Sequence, residues 1–189
     1  MYYLPDFNRA MSYEDYISML GENLALHQLH YKKFDLPTEI AAELVKIPEL
    51  KILVITEPWC GDSLALLPVI KKISEVAENW QIRVTLRDKN KDLIDQFLTN
   101  GSRAIPIFLF LSRDGYLLFS WGPRPAVAAE IYDAHRAAIS NGTIDKQRVL
   151  KKIRTFYAKD RGLLTLTEIV NLLRKKNEWY FNPEILSTK

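Results

Sequence analysis

The chain has 189 residues, 48% of them hydrophobic, a formal net charge of +3 and a single cysteine. That is apolar content enough for one packed domain with extensions. No apolar run approaches the length of a membrane span, and one cysteine excludes an intramolecular disulfide, in keeping with a reducing compartment. The opening Met1-Tyr2-Tyr3-Leu4-Pro5-Asp6 lacks the charged and apolar regions of a signal peptide, so a cytoplasmic location is expected. Residues 142–189 hold 11 lysines and arginines against 5 acids. These charges alternate with apolar positions, so they read as solvated helix faces, and neither a nucleic acid nor a membrane is an expected partner.

In chain order, Ser12 is placed to cap a helix with Glu14 and Asp15 in its first turn. Tyr16, Met19, Leu20, Leu24 and Leu26 or His27 continue its apolar face. His27 and His30 are three apart, as metal ligands can be, but no third ligand accompanies them and no metal site is expected. Pro37 suits a second helix start, with Ile40, Ala41, Leu44 and Val45 on the buried side and Pro48 ending it. Ile52-Leu53-Val54-Ile55 reads as a strand buried on both faces, at about 51–56. After it comes Thr56-Glu57-Pro58-Trp59-Cys60-Gly61-Asp62-Ser63, then a helix from near Asp62. That helix buries Leu66, Ile70, Ile73 and Ala77, with Val69, Val76 and Trp80 widening the stripe, and Pro68 inside it should kink it.

Ile82-Arg83-Val84-Thr85-Leu86 alternates like a strand. Residues 92–98 read as a short helix with Leu93, Ile94, Phe97 and Leu98 inward, stopped by Asn100-Gly101. Ile105-Pro106 opens the apolar run Ile107-Phe108-Leu109-Phe110-Leu111, where a proline belongs at the strand's first residue or in a turn. Ser112-Arg113-Asp114-Gly115 reads as a hairpin turn into an antiparallel strand at 116–121. Trp121-Gly122-Pro123-Arg124-Pro125 breaks that strand, and a helix follows with Val127, Ile131, Ala134 and Ala138 on one face. Asn141-Gly142 is a break. Beyond it, Val149, Ile153, Phe156 and Tyr157 form a helical face. Thr165-Leu166-Thr167-Glu168 reads as a capping box stapled by Leu164 and Ile169, ahead of Val170, Leu172 and Leu173. Neither tail helix can bury its stripe alone. All of 1–189 is therefore expected to form one unit, with a core at about 50–141 and helices over 12–47 and 144–177.

A turn between a buried strand and a helix lies at the strand's carboxyl end, where α/β sheets place their chemistry. Cys60 sits there, facing the first N–H groups of the helix, which favour an anion. Its thiol is expected to ionise below the ordinary value of about 8.5. The plain alternative is a small buried hydrophobe. Trp59-Cys60-Gly61-Asp62-Ser63 resembles the thioredoxin active site Trp-Cys-Gly-x-Cys, with serine in the last position. The order strand, helix, strand, helix, strand, strand, helix is that of a thioredoxin core. Thr-Asn-Gly-Ser-Arg before Pro106 and Trp-Gly-Pro-Arg-Pro after the hairpin resemble a bacterial thioredoxin-like subfamily.

The resemblance implies an α/β fold with a central mixed sheet flanked by helices, and a cis Ile105-Pro106 bond facing Cys60. It implies redox chemistry at Cys60, with Ser63 in the place of the resolving thiol and Pro106 completing the catalytic set. Because Ser63 cannot close a disulfide, the expected reaction is monothiol exchange through mixed disulfides with protein or low-molecular-weight thiols, without a cofactor. The buried acid common in this family is replaced by Val54. Glu57 and Asp62 are candidates for its role, with Arg103 and Arg124 as candidates to offset their charge. Alternatively Glu57 and Asp62 only favour the helix dipole, Trp59 only covers the sheet edge and Arg124 is a surface residue. Two further readings stay open. One is a non-catalytic module whose groove between Trp59, Pro106 and Arg103 grips an extended peptide, with Gly61 and Ile105 as further binding candidates. The other is a Ser63 engineered from cysteine to trap a partner.

Overall fold

In the computed structural model, which describes residues 1–76 and 79–180, the sheet has five strands among the described residues. They are β1 (Met11–Ser12), β2 (Leu50–Thr56), β3 (Gln81–Leu86), β4 (Ile107–Ser112) and β5 (Leu117–Trp121), in the order β1-β3-β2-β4-β5. β2 and β3 run parallel; the other pairs are antiparallel. This is the mixed α/β architecture the sequence pattern implies.

Every residue of the central β2 is buried, because side chains of a strand alternate between two covered faces. Ile52 and Val54 join Phe108 and Phe110 in one core, while Leu53 and Ile55 join Ile107, Leu109 and Leu111 in another. The first core is covered by α5 (Gly61–Ser74), α9 (Lys146–Asp160) and α10 (Leu163–Tyr180), which supply Leu66, Ile70, Val149, Ile153, Ile169 and Leu173. Each such aliphatic side chain contributes about 1.5–3 kcal/mol by leaving water. Tyr16 of α2 (Tyr13–Ser18) and Phe34, which ends α3 (Leu24–Lys33), complete that side. The second core is thinner. Its cover is α1 (Leu4–Arg9), with Phe7, and α6 (Lys91–Ile94), with Leu93 and Ile94. Cys60 belongs to this second core.

Several sequence expectations need correction. No element is predicted before Ser12, and the structure adds two: α1, anchored by Arg83, which donates to the carbonyls of Asn8 and Ala10, and β1, which pairs with β3. Ser12 does cap α2, accepting from the Asp15 N–H at 3.0 Å, but α2 stops at Ser18. Met19 and Leu26 are exposed, and His27 is the buried residue of α3. Val45, just past α4 (Thr38–Leu44), is also exposed. α5 ends at Ser74, so Trp80 is buried from a loop; Ala77 lies outside the described residues. Leu98 is exposed because the chain has left α6 and the turn after it.

The helix expected after residue 125 is broken into α7 (Ala126–Asp133) and α8 (Arg136–Ser140), and it buries Ala128 while Val127 is exposed. The capping box is not formed. α10 begins at Leu163, the Thr167 hydroxyl donates back to the Leu163 carbonyl, and Asp160 accepts from the Leu164 N–H. Glu168 turns instead to the sheet, accepting from the Trp121 indole and the Ala126 N–H, both at 2.8 Å. The α9–α10 link passes through Gly162 at φ +86°, where an added Cβ would lie 2.5 Å from Val69. Only glycine lets the tail helices approach α5 this closely.

Candidate active site

β2 delivers the turn that carries the cysteine, and the amino-terminal helices brace it. The Glu57 carbonyl accepts from the Cys60 N–H at 3.0 Å and from the Tyr16 hydroxyl at 3.2 Å. Asn23 donates to the Pro58 carbonyl at 3.2 Å. Cys60 is the residue preceding the first turn of α5, in extended conformation, and its carbonyl accepts from Leu64. Its thiol donates to the Ile105 carbonyl at 3.4 Å. The Ile105-Pro106 bond is cis, and so is Gly122-Pro123, which the sequence reading did not anticipate. The two prolyl loops abut: a Cβ on Gly122, at φ +119°, would stand 2.3 Å from the Pro106 carbonyl oxygen.

The thiol is not depressed as the helix-terminus argument predicts. Burial, with Cys60 only 6% exposed, and then the charge of Asp62 push it up; the Ser63 hydroxyl and the N–H groups of Asp62 and Ser63 pull the other way. Desolvation of a sulfur anion is the larger effect here. Ser63 is buried and its hydroxyl is paired with Thr56 Oγ1.

Asp62 is held on both oxygens. Arg124 Nη2 lies 2.6 Å from Oδ2, and the Tyr157 hydroxyl donates to Oδ1 at 2.8 Å. Tyr157 comes from α9 in the tail, and burial followed by the Asp62 charge keeps its phenol protonated far above the ordinary range. The Arg124 guanidinium also covers the Tyr132 ring at 4.4 Å. Glu57 does something different: Oε1 accepts the Asp88 N–H at 2.8 Å and ties the turn to the loop after β3. Arg103 is engaged in an exposed, two-pronged pair with Asp95 at 2.6 and 2.7 Å. Trp59 is 59% exposed, with the Arg87 guanidinium 5.0 Å above its ring.

A cleft of about 1080 Å³ opens over the cysteine. Of the residues singled out from the sequence, Trp59, Cys60, Gly61, Asp62, Ile105, Arg103 and Arg124 line it. Glu57, Ser63 and Pro106 are buried behind it, so the cis-prolyl wall is presented by Ile105 and Pro123. The sequence reading missed Tyr157, which it placed only in a helical stripe, and the Arg87–Trp59 stack. The period of α9 shows that Tyr157 faces inward; nothing local shows that it meets a carboxylate 95 residues earlier. His27 is paired with the Tyr13 hydroxyl at 2.6 Å, and among the described residues no group of three or more His, Cys, Asp or Glu is arranged to hold a metal ion. No described helix is long and apolar enough to cross a membrane.

Comparison with known proteins places this geometry. A crystal structure of a protein of unknown function from Pseudomonas aeruginosa superposes with a TM-score of 0.68 at 18% identity, covering 89% of this chain and 95% of that one. The crystal structure of an HIV epitope scaffold gives 0.70 at 18% identity, covering 93% and 99%. At that identity the likeness concerns the fold. No curated protein matches. A family model described as Thioredoxin matches residues 10–138. With that match over more than half its length, and with the strand, Trp-Cys-Gly turn, helix and cis-prolyl loop described above, the chain belongs to the thioredoxin family.

Proposed function

We propose that the protein carries out monothiol thiol–disulfide exchange with Cys60 as nucleophile. The observation that carries this reading is the position of the Cys60 sulfur. It lies at the start of α5, against the Ile105 carbonyl, on the lining of the cleft, and Ser63 stands where a second thiol would resolve the product.

In the first step the Cys60 sulfur forms a bond to one sulfur of a disulfide RS–SR. The S–S bond breaks, and the departing thiolate takes up a proton equivalent to the one Cys60 has lost, leaving as RSH. Cys60 is then held as the mixed disulfide Cys60–S–SR. Ser63 has no sulfur to attack it, so an external low-molecular-weight thiol must break that bond and restore the Cys60 thiol. Burial and Asp62 work against ionisation of the resting thiol, so exchange should accelerate with rising pH.

That same upward push supports a second reading, in which the cleft binds an extended peptide without chemistry. Intact-mass measurement separates the two. With a small disulfide present, folded protein should gain the mass of one thiol, lose it with excess thiol, and gain nothing as Cys60→Ala. No adduct on folded protein, with an adduct after unfolding in urea, would leave the binding module as the function.

A further inference from the structure

We infer that the cleft selects small disulfides that carry carboxylates, and that Lys146 and Arg154 of α9 are its specificity-determining residues. The inference rests on the exchange reading above and names its substrate class.

Lys146 and Arg154 line the same cleft as Cys60 and are exposed. Four other cations line it too, but each already faces a carboxylate: Arg87 meets Asp88 at 2.8 Å, Arg103 meets Asp95 at 2.6 Å, Arg124 meets Asp62 at 2.6 Å and Arg136 meets Asp133 at 2.5 Å. Lys146 and Arg154 form no ion pair among the described residues. A paired cation is nearly neutral to an approaching ligand, while an unpaired one attracts carboxylates and sets orientation and encounter rate. Both residues stand on the helix that sends Tyr157 to Asp62, so the element that braces the site also supplies its free positive charge. Any disulfide whose sulfur reaches the Cys60 sulfur shares the cleft with them. The chemistry is the exchange already written, with one thiol released and an external thiol regenerating Cys60.

The test is the second-order rate of mixed-disulfide formation with three small symmetrical disulfides: dithiodipropionate (anionic), hydroxyethyl disulfide (neutral) and cystamine (cationic). Each rate is divided by that of the uncharged N-acetylcysteine amide with the same disulfide, which removes differences in leaving thiol. At low ionic strength the normalised rate of the anion should exceed that of the cation by about tenfold. The ratio should collapse toward one near 0.5 M salt, where the screening length is only a few ångströms, about 4 Å. The double variant Lys146→Gln/Arg154→Gln should lose most of the preference. The variant Arg148→Gln/Lys151→Gln has the same net charge and alters two exposed cations of α9 that do not line the cleft; it should keep the preference. Equal normalised rates for the three disulfides, or equal losses in both variants, overturn the inference while leaving exchange intact. No reaction with any of the three overturns the exchange reading and the inference together.

Discussion

Arg124 and Arg103 line one cleft, and each meets an aspartate at 2.6 Å. The side chains of the Arg124–Asp62 pair are 14% and 9% exposed, against 44% and 42% for Arg103–Asp95. The distances are the same, but the surroundings differ, and the surroundings decide what a pair does. In water the Coulomb attraction is weak and the ordering of two long side chains offsets it. Under cover, a charge stripped of its partner keeps its desolvation cost with nothing to repay it. Asp62 therefore depends on Arg124 and Tyr157, and through its charge it reaches the thiol. Asp95 and Arg103 have no such hold on the site.

The largest effect is expected at Arg124. Arg124→Leu leaves the Asp62 carboxylate covered and half-satisfied, and should cost about 3–5 kcal/mol in urea unfolding. Tyr157→Phe removes a single hydrogen bond to that charge, and a loss of about 2 kcal/mol is expected in the same assay. Both variants should fold, because the apolar packing of α9 is retained.

The thiol sharpens the contrast. Asp62→Asn removes the charge that opposes ionisation while keeping an acceptor for Tyr157. The midpoint of Cys60 alkylation against pH should move down from the raised wild-type value, and an unchanged midpoint would show that burial alone sets it. Burial pushes the folded thiol above its ordinary range, so its contribution is complete below the unfolded value and is lost as pH rises through the folded one. Wild type should therefore lose more stability than Cys60→Ser in the alkaline limb above about pH 9. The smallest effect is expected at Arg103→Gln. Its pair is solvent-exposed, and neither the unfolding midpoint nor the alkylation midpoint should shift measurably.

How far the site was legible follows the same division. The strand Ile52-Leu53-Val54-Ile55, the turn at Cys60 and the start of α5 are written in contiguous residues, and the structure has them within a residue or two. The hairpin at Ser112-Arg113-Asp114-Gly115 is equally local. Glu168 shows the opposite case. Thr165-Leu166-Thr167-Glu168 has the spacing of a helix start, but Glu168 reaches Trp121 and Ala126, more than forty residues away, and the helix begins earlier. The short α1 carries too few turns to show a helical period, so its cover of Leu53, Ile55 and Cys60 was invisible until the sheet was assembled.

By itself, then, the sequence determined the elements whose signals lie within one turn or one strand: the alternating two-faced β2, the cysteine's place before α5, the absence of a second cysteine and the prolyl loop that follows. Those depend on local sterics and on hydrophobic period, which neighbouring residues state in full. Only the tertiary structure decided the state of the thiol and the fate of each charge. Whether Cys60 ionises easily depends on how much water the assembled cleft leaves it and on an Asp62 held by Arg124 and by Tyr157 from the far tail. Desolvation and Coulomb energies are set by what closes over a group from elsewhere in the chain, and no local spacing records that.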